Sequence, residues 1–251
     1  NAAMMVALAG EAGEPVEVFL QDWTGSHLGH ELAPTLYYRW MYRTIEGAMA
    51  DEFSEAVKDG SAPQKFEAFH KTIVSENTFP RLLARQDSPW WDDARTPTRE
   101  SAPEIVAEAL IAARLDLTEA LGPDVDQWRY DRLHTVTHRH AMSDVPFLGD
   151  WLDVGPFSLP AAKDALNKYE FKLKKEVDYE VFSGPSMRIA IDFANVEAAE
   201  SILPTGQSGN PFSPFYANQS SLYHAGEFRK QRMNRDDVQA NQSARALILP
   251  R

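Results

Sequence analysis

Histidines 134, 138 and 140 stand close together near the middle of the chain, and His27 and His30 lie within the stretch "HLGHEL". Imidazoles four residues apart share a helix face and alternate ones share a strand face, so the trio has a spacing from which a metal could be held. A zinc centre also needs further ligands and a supporting shell, and no HExxH run accompanies these residues. They read instead as hydrogen-bonded histidines on a strand or at its exit, and no metal is assigned to this chain. His27 and His30 precede a helical pattern, where capping or solvation accounts for them.

A second candidate is "TGQSGNPFSP", residues 205–214. Two glycines and two prolines around a Gln-Ser pair would suit a phosphate cradle, a nucleophile turn or a structural corner. A phosphate loop needs a lysine after its last glycine, and here Gly209 is followed by Asn210-Pro211. A nucleophile elbow needs GxSxG, whereas Gly206-Gln207-Ser208-Gly209 is one residue too short. The corner reading is the best of the three: Gly206 and Gly209 are expected to permit unusual backbone angles while Gln207 and Ser208 hydrogen-bond the main chain. The acidic pairs Asp92-Asp93 and Asp236-Asp237 lack a calcium-loop pattern and read as solvated helix starts, with Asn234 as an N-cap.

The elements that must position these residues change character along the chain. Leu32, Leu36, Trp40, Ile45, Met49 and Phe53 fall on one helical face behind Pro34. Prolines 63, 80, 89 and 97 then break the chain into short helices and turns, with Trp90 and Trp91 as loop anchors. "SAPEIVAEALIAARLDLTEALGP" has capping-box spacing at Ser101 and Glu104, a stripe at Val106, Leu110, Ala113, Leu117 and Leu121, and a Gly122-Pro123 stop. After residue 123 alternation takes over: "HTVTHRHAM", then "SMRIAIDF" with Met187, Ile189, Ile191 and Phe193 on one face, then "ESILPTGQ" entering the corner. The charged run "YEFKLKKEVDYE" reads as surface. Residues 1–122 are thus expected to be mainly helical and 123–251 to mix strands and loops, an α+β chain.

The totals restrict partners. With 25 Lys plus Arg against 37 Asp plus Glu, the formal charge of -12 repels phosphate backbones, which argues against a nucleic-acid partner. No apolar run approaches the ~18 residues of a membrane span. Absence of cysteine excludes disulfides and a thiol nucleophile within these residues and does not decide the compartment. Asn1 is read as the start of a processed or cut chain, since a new chain begins with Met.

Taken as an ordered string, the last third resembles the carboxy-terminal end of penicillin-acylase-family enzymes. The matching features are Arg188 with Asp192, Pro204 to Gly209, Asn210 to Pro214, Tyr216 with Gln219, Gly226-Glu227-Phe228 and the terminal "RALILPR". Upstream, "LHTVTHRHAMSDVPFLGDWLDVGPF" and "FLQDWTGSH" are similar to further family segments. Phe215 departs from the pattern, in which many members carry His before the Tyr.

The resemblance implies part of an αββα N-terminal-nucleophile hydrolase fold whose core is shared with partner chains from one self-cleaving precursor: an α chain and the N-terminal part of the catalytic β chain. It implies hydrolysis of N-acyl amides, such as a β-lactam side chain, through an acyl-enzyme on an N-terminal serine. That serine, the oxyanion-hole residue and the acyl pocket would lie outside these 251 residues, so no catalytic or substrate-binding residue is assigned here. A structural calcium ion would be bound by partner-chain residues, and the location would be the bacterial periplasm or outside the cell. An acyl-homoserine lactone acylase is the alternative within the family, and a non-catalytic binding module the alternative outside it.

Overall fold

The computed structural model describes residues 1–56, 61–163, 165–242, 244 and 246; most of the terminal "RALILPR" match lies outside them. In chain order the elements are α1 (Ala2–Glu11), α2 (Val18–Gln21), α3 (Ala33–Ala56), α4 (Ala62–His70), α5 (Ile73–Leu83), α6 (Ala102–Leu121), β1 (Thr135–His138), α7 (Gly149–Leu152), β2 (Val154–Ser158), β3 (Glu170–Phe171), β4 (Val181–Ser183), β5 (Arg188–Ala190), β6 (Glu200–Ile202), α8 (Ser220–His224), β7 (Arg229–Lys230) and α9 (Arg235–Asn241). Helices fill the first half and the described strands all follow residue 134, as an α+β chain requires. Contacts divide the chain into two units, 1–136 with 158–183, and 137–157 with 184–251.

The first unit is built on α3 and α6. Leu36, Trp40, Ile45 and Met49 of α3 are buried, as are Val106, Leu110, Ala113 and Leu117 of α6. Burying each Leu, Ile, Val or Met side chain among these contributes about 1.5–3 kcal/mol. The Trp40 indole N–H donates to the Val106 carbonyl at 2.8 Å, so the ring is buried without an orphaned donor. Met5, Leu8 and Ala9 of α1 add to the same core. Helix α6 begins where expected: the Ser101 main-chain N–H donates to Glu104 at 2.8 Å, and Gly122, at φ +98°, ends it.

The segment 158–183 adds an aromatic cluster to this unit. Phe171 meets Tyr38 edge-on at 4.9 Å and Tyr179 at 5.2 Å. The Tyr179 hydroxyl donates to the Thr35 carbonyl at 2.7 Å, and Tyr130 does the same to Ala161 at 3.0 Å. "YEFKLKKEVDYE" is therefore only half surface: Tyr169, Phe171, Leu173 and Tyr179 are buried while the intervening Lys172, Lys175, Glu176 and Glu180 face outward. Val136 of β1 pairs in parallel with Val181 of β4, and β4 pairs antiparallel with β3.

Two local expectations change. Pro80 lies inside α5 rather than between helices, while Pro63 and Pro89 each open an element. Trp91 is buried with its indole N–H on the Arg85 carbonyl at 2.9 Å, whereas Trp90 is 43% exposed.

In the second unit β5, β6 and β7 form an antiparallel sheet in that order, so β5 is an edge strand. Only Arg188–Ala190 pairs, a shorter strand than the alternation of "SMRIAIDF" suggests. The apolar face of that stretch is uncovered: Met187, Ile189 and Ile191 are about half exposed and Phe193 is 91% exposed. Helix α9 starts as expected, with the Asn234 side chain accepting the Asp237 N–H at 2.8 Å. No helix among the described residues is long and apolar enough to cross a membrane.

Candidate functional site

Strand β6 delivers the chain into the corner at 203–220, and that corner is held from α8. Gln219 accepts the Leu203 N–H through Oε1 at 3.2 Å and donates its own N–H to the Thr205 carbonyl at 3.1 Å. The Ser220 hydroxyl donates to the Pro204 carbonyl at 2.8 Å. Within the loop, Ser208 donates its N–H to the Phe215 carbonyl at 3.1 Å, and its Oγ accepts the Asn210 N–H at 3.1 Å. Asn210 and Ser213 close the next turns by accepting the N–H groups of Phe212 and Phe215. The Tyr216 hydroxyl reaches the Leu152 carbonyl at 2.5 Å.

This is the geometry of a built corner. Ser208 spends its hydroxyl on a turn, and no imidazole or carboxylate is among its hydrogen-bond partners in the described residues. The glycines serve differently from the expectation. Neither Gly206 nor Gly209 has a positive φ. Gly206 is required because a Cβ there would fall 1.9 Å from the Phe215 carbonyl oxygen, whereas a Cβ at Gly209 would meet nothing within 4 Å. The Phe215 side chain is exposed.

The three histidines of the middle segment are not gathered. His134 is buried, with Nδ1 3.0 Å from the Leu159 carbonyl and its ring stacked on Tyr130 at 4.6 Å. Burial pushes its pKa down to about 4, so the ring is neutral. His138 meets His224, Nε2 to Nε2, at 3.0 Å. His140 accepts the Met142 N–H in a turn. His27 bridges the Gly25 carbonyl and the Tyr38 hydroxyl, at 2.8 and 2.9 Å, while His30 is exposed. The described residues bring no group of three or more His, Asp or Glu side chains into a metal-holding arrangement.

Three charged arrangements escaped the sequence. Asp116 of α6 accepts from Arg39 Nε and Arg43 Nη2 of α3, each at 2.5 Å, and Arg39 Nη1 also donates to the Lys174 carbonyl at 3.0 Å. Arg39 is 2% exposed, so its charge is balanced inside the unit. Asp51, fully buried, accepts the Ala94 N–H at 2.8 Å, and burial together with Asp51 pushes its neighbour Glu52 up to about 8. Asp93 does not start a helix but holds Arg95 in a turn. The i,i+4 spacing of Arg39 and Arg43 on a helix otherwise apolar nearby was the one available signal for the first arrangement.

Residues 3–240 match the model of the penicillin amidase family. The chain belongs to that family. Among curated relatives, an acyl-homoserine lactone acylase QuiP of Pseudomonas aeruginosa is 31% identical over 221 residues, 82% of this chain but 26% of that protein. A QuiP of Pseudomonas syringae pv. tomato is 37% identical over 152 residues, 59% of this chain and 18% of the relative. The chain thus spans about a fifth to a quarter of the length of these relatives. A solved thermostable penicillin G acylase from Alcaligenes faecalis superposes on the whole of this chain and 46% of its own, with a TM-score of 0.50 at 19% identity, which shows a shared fold.

Proposed function

We propose that this chain is one part of an amide hydrolase that removes the acyl group from N-acyl substrates, with its nucleophile in accompanying polypeptide. The observation that carries this reading is the penicillin amidase match across residues 3–240. In this reading an N-terminal serine of the accompanying catalytic segment attacks the amide carbonyl. Its own α-amine, with a reference pKa of about 8, takes the hydroxyl proton and returns it to the leaving amine. Hydrogen-bond donors stabilise the tetrahedral oxyanion, and water releases the acyl-enzyme. The residues of this chain position rather than react: the corner at 203–220 and the α3–α6 body are scaffold.

The uncovered row Met187, Ile189, Ile191 and Phe193 supports a shared core. It lies on and beside an edge strand, where apolar side chains and unpaired main-chain groups together suit another strand or chain. The relatives' greater length is consistent with one occupant, the remainder of a family-length polypeptide, which in this reading is separated by self-cleavage of the precursor. Any structural calcium ion belongs, in this reading, to that remainder, and no step here is routed through a metal. The proposed location is the bacterial periplasm or outside the cell.

Two acyl classes compete. β-Lactam side chains follow from the family, while the name carried by the QuiP relatives favours acyl-homoserine lactones. Hydrolysis rates of the purified native protein on an arylacetyl and a long-chain acyl chromogenic amide separate them. Turnover of either, with the acyl group trapped on a serine, supports the hydrolase; no turnover and no serine labelling leaves a binding module.

A further inference from the structure

Helix α8 ends in two residues with different attachments. Tyr223 is fully buried, its carbonyl accepts from Arg188 Nη1 at 2.7 Å, its ring lies 4.1 Å under that guanidinium, and its hydroxyl donates to the Pro185 carbonyl. The next residue, His224, meets His138 of β1 with ring centroids 5.2 Å apart and planes within 26°. Set end to end with their Nε2 atoms at 3.0 Å, two imidazoles hold one proton between them, one Nε2–H donating and the other Nε2 accepting. His224 Nδ1 is buried with no hydrogen-bond partner in the described residues. A bare buried acceptor is less costly than an orphaned N–H, so the shared proton sits on His224 Nε2. Phe157 covers the His224 ring at 4.0 Å and offers nothing to stabilise a charge.

We propose that the His138–His224 pair is an acid-sensitive latch: it fastens α8, and through α8 the corner at 203–220, only while the two rings share a single proton. A further proton turns two N–H groups toward each other across 3.0 Å and breaks the bond. The titratable groups acting on His224 are His138 on β1 and Arg188 on β5, both adding to the cost of protonation. Burial is the main cause in both rings; it lowers His138 and brings His224 down to about 4.

The sign follows from linkage. An unfolded histidine takes its proton near 6.5 while these two stay neutral to lower pH, so the stability that the pair lends is present at neutral pH and falls as pH drops from 6.5 toward about 4. The first residues to feel it are Gln219 and Ser220, whose bonds to Leu203, Pro204 and Thr205 hold the corner.

Amide hydrogen exchange on the purified native protein, accompanying chains included and with chelator present, tests this at about pH 7 and about pH 4.5. Once corrected for intrinsic chemistry, exchange at α8 is expected to quicken at least about tenfold in the parent and to stay flat in His224→Phe, which keeps the stack on Phe157 and loses the proton. An equal step in both, or none in the parent, overturns the latch. Should the variant not fold, imidazole NMR of the parent decides: both rings must titrate below 6.5, and either one titrating at its ordinary value overturns the proposal.

Discussion

An alanine Cβ at position 206 would sit 1.9 Å from the main-chain oxygen of Phe215. That single approach explains why the loop carries glycine at 206, and it ties the end of β6 to the chain entering α8. Gly206→Ala is expected to cost about 3 kcal/mol, because it is main chain and not a flexible side chain that must move. Gly209→Ala, in open space, is expected to stay within about 0.5 kcal/mol. Urea unfolding followed by exchange at 184–230 compares the two.

Asp116 balances two guanidiniums inside the helical unit. Burial alone would raise its pKa, but hydrogen bonds from Arg43 and Arg39 outweigh that and hold it below 3.8. The stability it lends is present above that value and is lost as pH falls through the depressed pKa. Asp116→Asn is expected to cost about 3 kcal/mol at neutral pH, by leaving Arg39 buried without its counter-charge, and to show a smaller further loss in acid. Thermal unfolding of both forms from neutral to acid pH is the check.

Glu52 carries the opposite dependence. Burial first, and Asp51 second, push it up from 4.5 to about 8, so the folded form holds a proton that the unfolded chain releases. Stability is therefore expected to decline as pH rises between those values. Glu52→Gln, which keeps a donor toward Asp51, is expected to flatten that decline. A slope in the melting temperature unchanged by the substitution would contradict it.

The sequence made some of this legible and not the rest, for physical reasons. Helix α6 could be read because its signals are local: Ser101 and Glu104 at the start, Gly122 at the end and a stripe between. The corner at 203–220 was legible as a corner, but the reason for Gly206 was not, since close approach depends on residues nine positions away. The alternation of 187–193 specified a face and not a partner, so it overstated a strand that pairs only at 188–190. The Arg39–Asp116 and His138–His224 pairs span 77 and 86 residues, and nothing in local periodicity brings them together.

The exposed apolar row yields a prediction about assembly. Ile189→Lys with Phe193→Lys is expected to leave the chain's own stability within about 0.5 kcal/mol, because both side chains already face outward, and to abolish co-purification of the accompanying polypeptide. Retained co-purification would place the shared surface elsewhere.

The most direct test of the central claim is denaturing intact-mass analysis with N-terminal sequencing of the native particle, run beside an amide-hydrolysis assay. The expected result is polypeptide additional to these 251 residues, with one chain of the particle beginning with serine, and amidase activity in that particle. A particle containing only the 28.2 kDa chain that still hydrolyses N-acyl amides would contradict it, because the nucleophile would then have to lie among these 251 residues.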